Sequence, residues 1–550
     1  MRLFGSFSGY QRRWLRGDLL AGLTVWAVLI PESLAYATIA GVSPVAGLYA
    51  AIPALLLYPI FGSSRHLVVA TMSGTAALSA SIVAGSADVP ATTAALAVVV
   101  GVLCLLAGIF RMGFLASFIS EPVLKGFIIG LALTIMIGQV PALIGVDKPA
   151  GSFFEKLWGI LGELGDIDWL TAMVGLSAFV AILLLKRYVP LLPASLIVVL
   201  AGIGAVWLFD LDIDIVGTIQ SGLPSIAIPD VGLDRYLDLV GPAVGVLLIG
   251  FAEGLGAAKT YAAREGYEID PNAELVGNGA ADVGAGLVGG LVVNGSLSKT
   301  AVNGGAGAKS QLSGIFVALL TVLTLLFLTG LFEKLPEAVL AAVVIAAVIE
   351  LVDFGSLRAL YRIWTGPLSR IYHRVTRADF LAAVGALLGV LIFDTLPGLF
   401  IGITISLLTL LFRSSRPHVA RLVRRPGDDG VWVDLDRHPN LPADDTVIVC
   451  RVESGLFFAN ADHVRTAVLA MVTDTTRAVV IDAETLPTID VSGARMLAGM
   501  AEELERRHMS LLLAKSIGQV RDVLHTADTP ATPQWYPTID DAVSAVRPVT

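Results

Sequence analysis

Between Leu19 and Phe412 the chain alternates long apolar runs with short polar breaks, and beyond Arg413 the runs shorten. A bilayer span needs roughly 20 apolar residues. Runs that approach this length lie near 19–41, 45–61, 67–84, 94–115, 126–146, 168–185, 188–209, 239–258, 275–292, 293–312, 314–332, 337–352, 380–396 and 398–412. The pattern predicts a polytopic α-helical membrane protein of about fourteen spans. The polar, basic segment 1–18 shows no signal-peptide cleavage pattern, so the first run is expected to remain as a span.

From residue 415 to 445 the chain reads as a linker, rich in Pro, Gly and Asp from 426 onward. Residues 446–550 change to alternating strand and helix patterns. VIVCRVES is β-rich, DHVRTAVLAMV amphipathic, RAVVIDAE a buried strand, VSGARMLAGMAEELERRH a helix, SLLLAKS a strand and QVRDVLH a short helix. That order predicts one small α/β domain. The expected domains are therefore 1–18, a cytoplasmic N-terminal segment; 19–414, the membrane domain; 415–445, a linker; and 446–550, a cytoplasmic α/β domain.

Composition sharpens this picture. Of 550 residues, 55% are hydrophobic and only 15% are charged, against about 25% charged in ordinary soluble domains. Mean hydropathy is +0.78. The charges are sorted by loop. With the N-terminus inside, inner loops hold Arg65, Arg111, Lys125, Lys186, Arg187, Lys259, Arg264 and Lys309, and the basic stretch Arg358, Arg362, Arg370, Arg374 and Arg377. Outer loops hold Asp88, Asp166, Asp168, Asp210, Asp212, Asp214, Asp230, Asp234 and Asp394, with Lys148, Lys156, Arg235 and Lys334 as the exceptions. The alternation predicts an even number of crossings with both termini cytoplasmic. Two distant cysteines and seven scattered histidines give no disulfide framework and no metal-ligand spacing. No phosphate-binding loop of the ATPase type is present, which argues against ATP-driven transport, and no cofactor, catalytic group or nucleic-acid partner is expected.

Several residues are out of place in an apolar setting. The third and tenth runs, LVVATMSGTAALSAS and LVVNGSLSKTAVNGGAGAK, are rich in Gly, Ser and Thr. Both open on Leu-Val-Val, Leu67–Val69 and Leu291–Val293, and both carry Ser-x-Thr-Ala, Ser73–Ala76 and Ser298–Ala301. Weakly helical segments at matching positions of two halves point to an inverted repeat with discontinuous helices; two small-residue packing helices are the plainer alternative. Lys299 lies inside the tenth run, where a charge costs about 2.5–3.5 kcal/mol on insertion scales. Glu32 in the first run and Glu253 in the eighth stand at corresponding places of the halves. Each carboxylate either serves a coupling ion or pairs internally to hold helices together.

IPESLAYATIAGVSPVAGLYA followed by GSSRH resembles the signature of the SulP family of sulfate permeases and related anion transporters. GSLSKTAVN with GAGAKSQL, and AEGLGAAKTYA with YEIDPNAEL, resemble further family patterns in the same order, and the C-terminal region is similar to the STAS domain that members carry. The chain departs from the family at Ala70-Thr71, where Gly-Pro is usual, at Lys299, where Arg is common, and at Glu32, where many eukaryotic members have Gln.

The resemblance implies a seven-plus-seven inverted repeat divided into core and gate subdomains, with the anion between the N-termini of the third and tenth half-helices. It implies a binding set of Tyr36, Ser73, Gly74, Thr75, Ser296, Leu297, Ser298 and Lys299, with Glu253, or failing it Glu32, carrying a coupling proton. Two helix N-termini and Lys299 together offer about +2, which suits a dianion. The expectation is proton-coupled sulfate uptake across the plasma (inner) membrane, by a protein in contact with lipid and dimerising with its own kind. Dicarboxylate or bicarbonate as substrate, sodium as coupling ion, an anion channel and a membrane-tethered signalling protein are the alternatives. In IDVSG, Ser492 matches the hydroxyl phosphorylated in anti-sigma-factor antagonists; the simpler reading makes Asp490 and Ser492 a helix cap.

Overall fold

The computed structural model describes residues 3–118, 120–149, 151–189, 192–363, 378–393, 395–427, 430–526 and 533–546. Arg370, Arg374, Arg377 and Asp394, used above for orientation, lie outside the described residues. The chain divides into two compact units, Met1–Tyr361 with Asp379–Ser406, and Arg362–Ala378 with Leu407–Thr550.

The first unit is helical, and every predicted apolar run contains a helix. In chain order these are α1 (Leu15–Ile39), α2 (Pro44–Phe61), β1 (Val68–Thr71), α3 (Ser73–Val83), α4 (Val89–Ile109), α5 (Glu121–Ile144), α6 (Phe153–Gly162), α7 (Trp169–Tyr188), α8 (Ala194–Phe209), α9 (Leu233–Glu265), α10 (Pro271–Leu287), β2 (Val293–Ser296), α11 (Leu297–Gly305), α12 (Leu312–Phe327), α13 (Thr329–Phe332), α14 (Glu337–Val348), α15 (Phe354–Ile363), α16 (Ala378–Phe393) and α17 (Thr395–Ser415). Among the described residues, eight helical stretches are long and apolar enough to cross a membrane alone. Local chemistry sets many of the boundaries. Asp88, Asp168 and Asp270 cap α4, α7 and α10 by accepting N–H groups of the first turn. Gly145 and Gly266 close α5 and α9 with φ of 71° and 72°, a conformation that suits glycine. Helix α6 was not foreseen; its Ser152–Glu155 capping box is a signal the sequence contains.

The helices gather into two groups. Helix α10 packs on α4 and α2, α1 on α2 and α12, and α9 on α4 and β2; α5, α7, α8 and α14 pack on one another. This is the core-and-gate division that the resemblance implied. Within the first group β1 and β2 pair antiparallel, Val68 opposite Ser296 and Thr71 opposite Val293. One of the two inner pairs is Ala70 with Asn294, each three residues beyond the leucine of its Leu-Val-Val. The two openings are therefore related by a local two-fold, and each strand runs directly into a short helix. The discontinuous-helix reading holds, and the plain packing-helix alternative does not.

The second unit holds a six-stranded sheet of order β4-β3-β5-β6-β7-β8, made of β3 (Val419–Arg424), β4 (Trp432–Asp434), β5 (Val447–Val452), β6 (Ala478–Asp482), β7 (Ser510–Ala514) and β8 (Gln534–Tyr536). Strands β5 to β8 are parallel, while β3 runs antiparallel to both β4 and β5. Its helices are α18 (Ala461–Leu469), α19 (Val491–Arg506), α20 (Gly518–Thr526) and α21 (Ile539–Val546). Strand alternation divides the core in two. Cys450, Ile481 and Leu513 pack with Val464 and Leu497 of α18 and α19 on one face. Val449, Val480 and Leu512 pack with Ile539 and Val543 of α21 on the other. The expected linker is corrected in part: β3 and β4 fall within 415–445 and belong to the sheet, because β3 pairs with both β4 and β5 and turns Ala420 and Leu422 inward.

Candidate functional site at the paired half-helices

The half-helices α3 and α11 begin where the buried strands β1 and β2 end. An N-terminus offers unpaired N–H groups and roughly +0.5 of charge. At α11 the side chain of Ser296 accepts from the Lys299 amide at 3.3 Å and lies 3.2 Å from the Ser298 hydroxyl. Strand β2 is pressed against α9. A Cβ on Gly295 would meet Gly254 Cα at 2.9 Å, and Asn294 Nδ2 donates to the Gly250 carbonyl at 2.6 Å. The Gly250–Gly254 spacing on α9 thus lets β2 lie close against the helix.

Lys299 is 1% exposed. Its ammonium lies 2.7 Å from Glu32 Oε2, donates to the Thr71 carbonyl at 3.1 Å and sits 4.9 Å from the centre of the Tyr36 ring. Glu32 Oε2 makes this contact as an ion pair by distance without a well-aligned hydrogen bond, so its accepting capacity is not exhausted. Next to Glu32, Ser33 Oγ accepts from the Thr71 hydroxyl at 2.9 Å, tying α1 to the end of β1. Glu253 approaches the other half-helix, its Oε2 lying 3.8 Å from where a Cβ on Gly74 would stand. No ion pair to Glu253 occurs among the described residues.

The binding set expected from the resemblance is therefore split by environment. Lys299, Glu32 and Tyr36 form one buried cluster. Ser73 and Gly74 open α3 beside Glu253, and Leu297 and Ser298 open α11 with exposed side chains. Thr75 is turned away: its hydroxyl donates to the Met72 and Val292 carbonyls at 3.3 and 3.4 Å and so braces the strand pair. The charge accounting also changes. Lys299 already has a counterion in Glu32, so the ends of α3 and α11 leave about +1 rather than +2. Ser33, Thr71, Gly250 and Asn294 were not anticipated. The Gly-x-x-x-Gly of α9 was their one sequence signal.

Three quoted motifs meet elsewhere, in a hydrogen-bond network. Buried Glu274 accepts from the Tyr58 hydroxyl at 2.7 Å, from the Ser63 amide and hydroxyl at 2.8 and 2.7 Å, and from the Ser64 amide at 3.0 Å. The His66 ring touches the Tyr267 hydroxyl and the Ala308 carbonyl, both at 3.0 Å. Gln311 Nε2 donates to the Ser64 and Leu67 carbonyls, and Asp18 accepts from the Lys309 and Ser310 amides. GSSRH, YEIDPNAEL and GAGAKSQL are thereby joined to one another and to α1, a structural role. A cavity of about 430 Å³ lies at α5, α7 and α14. Its Asp147, Asp214 and Glu337 against a single Lys148 make it a poor resting place for an anion.

In the second unit Asp490 caps α19, accepting from the Gly493 amide at 2.7 Å, while its other oxygen accepts from the Phe458 amide at 3.0 Å. Ser492 is exposed within the first turn. The capping role thus belongs to Asp490.

The comparisons with known proteins agree along the chain. The sulfate permease family pattern matches residues 15–369, and the STAS domain pattern matches residues 438–542. A protein named as a probable sulfate transporter of Mycobacterium tuberculosis is 35% identical over 98% of this chain and 97% of its own length. High affinity sulfate transporter 2 of Stylosanthes hamata is 29% identical over 98% of this chain and 85% of its own. Among solved structures, SLC26A9 superposes with a TM-score of 0.87 at 21% identity, covering 98% of this chain and 91% of that one. The transmembrane domain of a cyanobacterium bicarbonate transporter, BicA, gives 0.60 at 22% identity, covering 72% and 98%. With its paired half-helices, its core and gate groups and its C-terminal sheet domain, the chain belongs to the sulfate permease family.

Proposed function

We propose that this protein is a secondary active anion transporter that takes up sulfate with protons across the plasma (inner) membrane, with both termini cytoplasmic and two chains forming a dimer. The observation that carries the reading is Lys299: a cation buried at the start of one half-helix, held by a carboxylate from α1. An arriving dianion competes with Glu32 for the lysine and takes the free N–H groups of α3 and α11 as further donors. Serine hydroxyls at Ser73 and Ser298 add donors without charge. Glu253 faces the α3 end with no counterion among the described residues, and a second full negative charge there opposes the anion. Protonation of Glu253 removes that repulsion, so proton and anion binding support each other through a coupling free energy that is reciprocal.

Uptake by purified protein in liposomes tests this reading, with sulfate, bicarbonate and dicarboxylates supplied under imposed proton or sodium gradients. Uphill sulfate accumulation driven by an inward proton gradient is the expected result. Accumulation of bicarbonate or a dicarboxylate instead reassigns the substrate, a requirement for sodium reassigns the coupling ion, and downhill flux alone marks a channel.

A further inference from the structure

Beside β2 lies a second polar cluster, at a void that Lys299, Glu32 and Glu253 do not line. Asp282 of α10 is 2% exposed, and its Oδ1 accepts from the Val293 amide at 2.8 Å, the first residue of β2. One turn earlier on the same helix, Asn278 is 4% exposed. Its Nδ2 donates to the Glu274 carbonyl at 3.0 Å, which fixes the orientation of the amide and leaves Oδ1 as a buried acceptor with no partner. Both residues line a void of about 10 Å³, together with Thr75, Cys104, Asn294 and apolar groups of α4 and α9. That is room for one water-sized guest. No lysine, arginine or histidine lines the void, and no cation pairs with Asp282 among the described residues. The Thr75 hydroxyl is already donated to backbone carbonyls.

The void therefore presents a carboxylate and an unpartnered amide oxygen, and no positive charge. An isolated carboxylate in such surroundings is costly unless it is neutralised. We propose that Asp282 and Asn278 form a buried site for a single positive charge, either a desolvated sodium ion or a proton held on the carboxylate. Neutralising Asp282 there preserves the Val293 contact that anchors β2, and hence the start of α11. The titratable groups near it are Cys104 from α4, and Glu274 with its partner Tyr58 two turns back along α10. None of them supplies a cation. The site is distinct from Glu32 and Glu253, and its existence does not depend on which anion is carried.

Thermal unfolding of the purified full-length protein tests the site without reference to transport. In one arm, sodium chloride is titrated into N-methylglucamine chloride at fixed pH; in the other, pH is lowered at constant N-methylglucamine. The wild type is expected to gain about 3 °C or more, saturably, in one of the two arms. Asp282→Asn, which carries no charge to neutralise, is expected to lose that gain. A sodium response identifies the ion and an acid response identifies the proton. Should Asp282→Asn fail to fold, Asn278→Ala decides: a diminished response supports the site, and an undiminished one overturns it. A wild type that gains in neither arm, or an Asp282→Asn protein that responds as the wild type does, also overturns it.

Discussion

Glu32 and Lys299 were each conspicuous in the sequence as charges within apolar runs, but their pairing was not legible. It depends on α1 packing against α11, a contact no local pattern records. The pair gives the residue-scale prediction. Lys299→Ala strands the Glu32 carboxylate and removes the buried cation of the site; sulfate binding, measured by titration calorimetry, should weaken by about tenfold or more while the protein remains monodisperse. Lys299→Arg keeps the charge and should retain much of the affinity, and Glu32→Gln should bind at least as tightly as the wild type. Loss of folding in both lysine variants would make the lysine a packing element. The two cysteines offer a simpler check of burial. Both are buried, and burial pushes the Cys450 thiol up to about 12. At pH 8 neither thiol is accessible and Cys450 is not ionised, so the native protein should take up no maleimide and the denatured protein two equivalents by mass.

At the scale of elements, the twin Leu-Val-Val and Ser-x-Thr-Ala strings gave away the half-helices, because a repeat in sequence is readable without knowing the fold. The strands before them were less visible. Val68–Thr71 and Val293–Ser296 are too short to show a period of two, and their pairing is a long-range property. The close approach of α9 to β2 was hinted at by Gly250 and Gly254 and completed by Gly295. A methyl group on Gly295 meets backbone at 2.9 Å, which cannot move aside as a side chain would. Gly295→Ala should therefore cost about 1–3 kcal/mol, read as a lowered unfolding temperature, and should reduce transport more than expression. An unfolding temperature equal to that of the wild type would show that the strand has room to shift.

For the molecule as a whole, composition and charge sorting gave the bilayer and the division into a membrane domain and an α/β domain. The boundary between them was misplaced because β3 and β4 are flanked by the Pro, Gly and Asp residues that read as linker. This changes how the chain should be cut. Ending it after Arg425 leaves β3 without β4 or β5, an unpaired edge prone to association. Ending it after Ser415 removes the sheet entirely. The longer fragment should aggregate on size exclusion, while the shorter one should run as a single peak and still bind sulfate; the reverse order would mean that β3 does not need the sheet.

The central claim is that a buried cation at paired half-helices binds the anion while Glu253 carries the proton. It is tested most directly by loading liposomes with wild-type or Glu253→Gln protein and following labelled sulfate under an inward proton gradient. Glutamine fixes the neutral state, so the account predicts that the variant still exchanges sulfate across the membrane, whereas only the wild type concentrates it. Uphill accumulation by Glu253→Gln equal to that of the wild type would contradict the assignment.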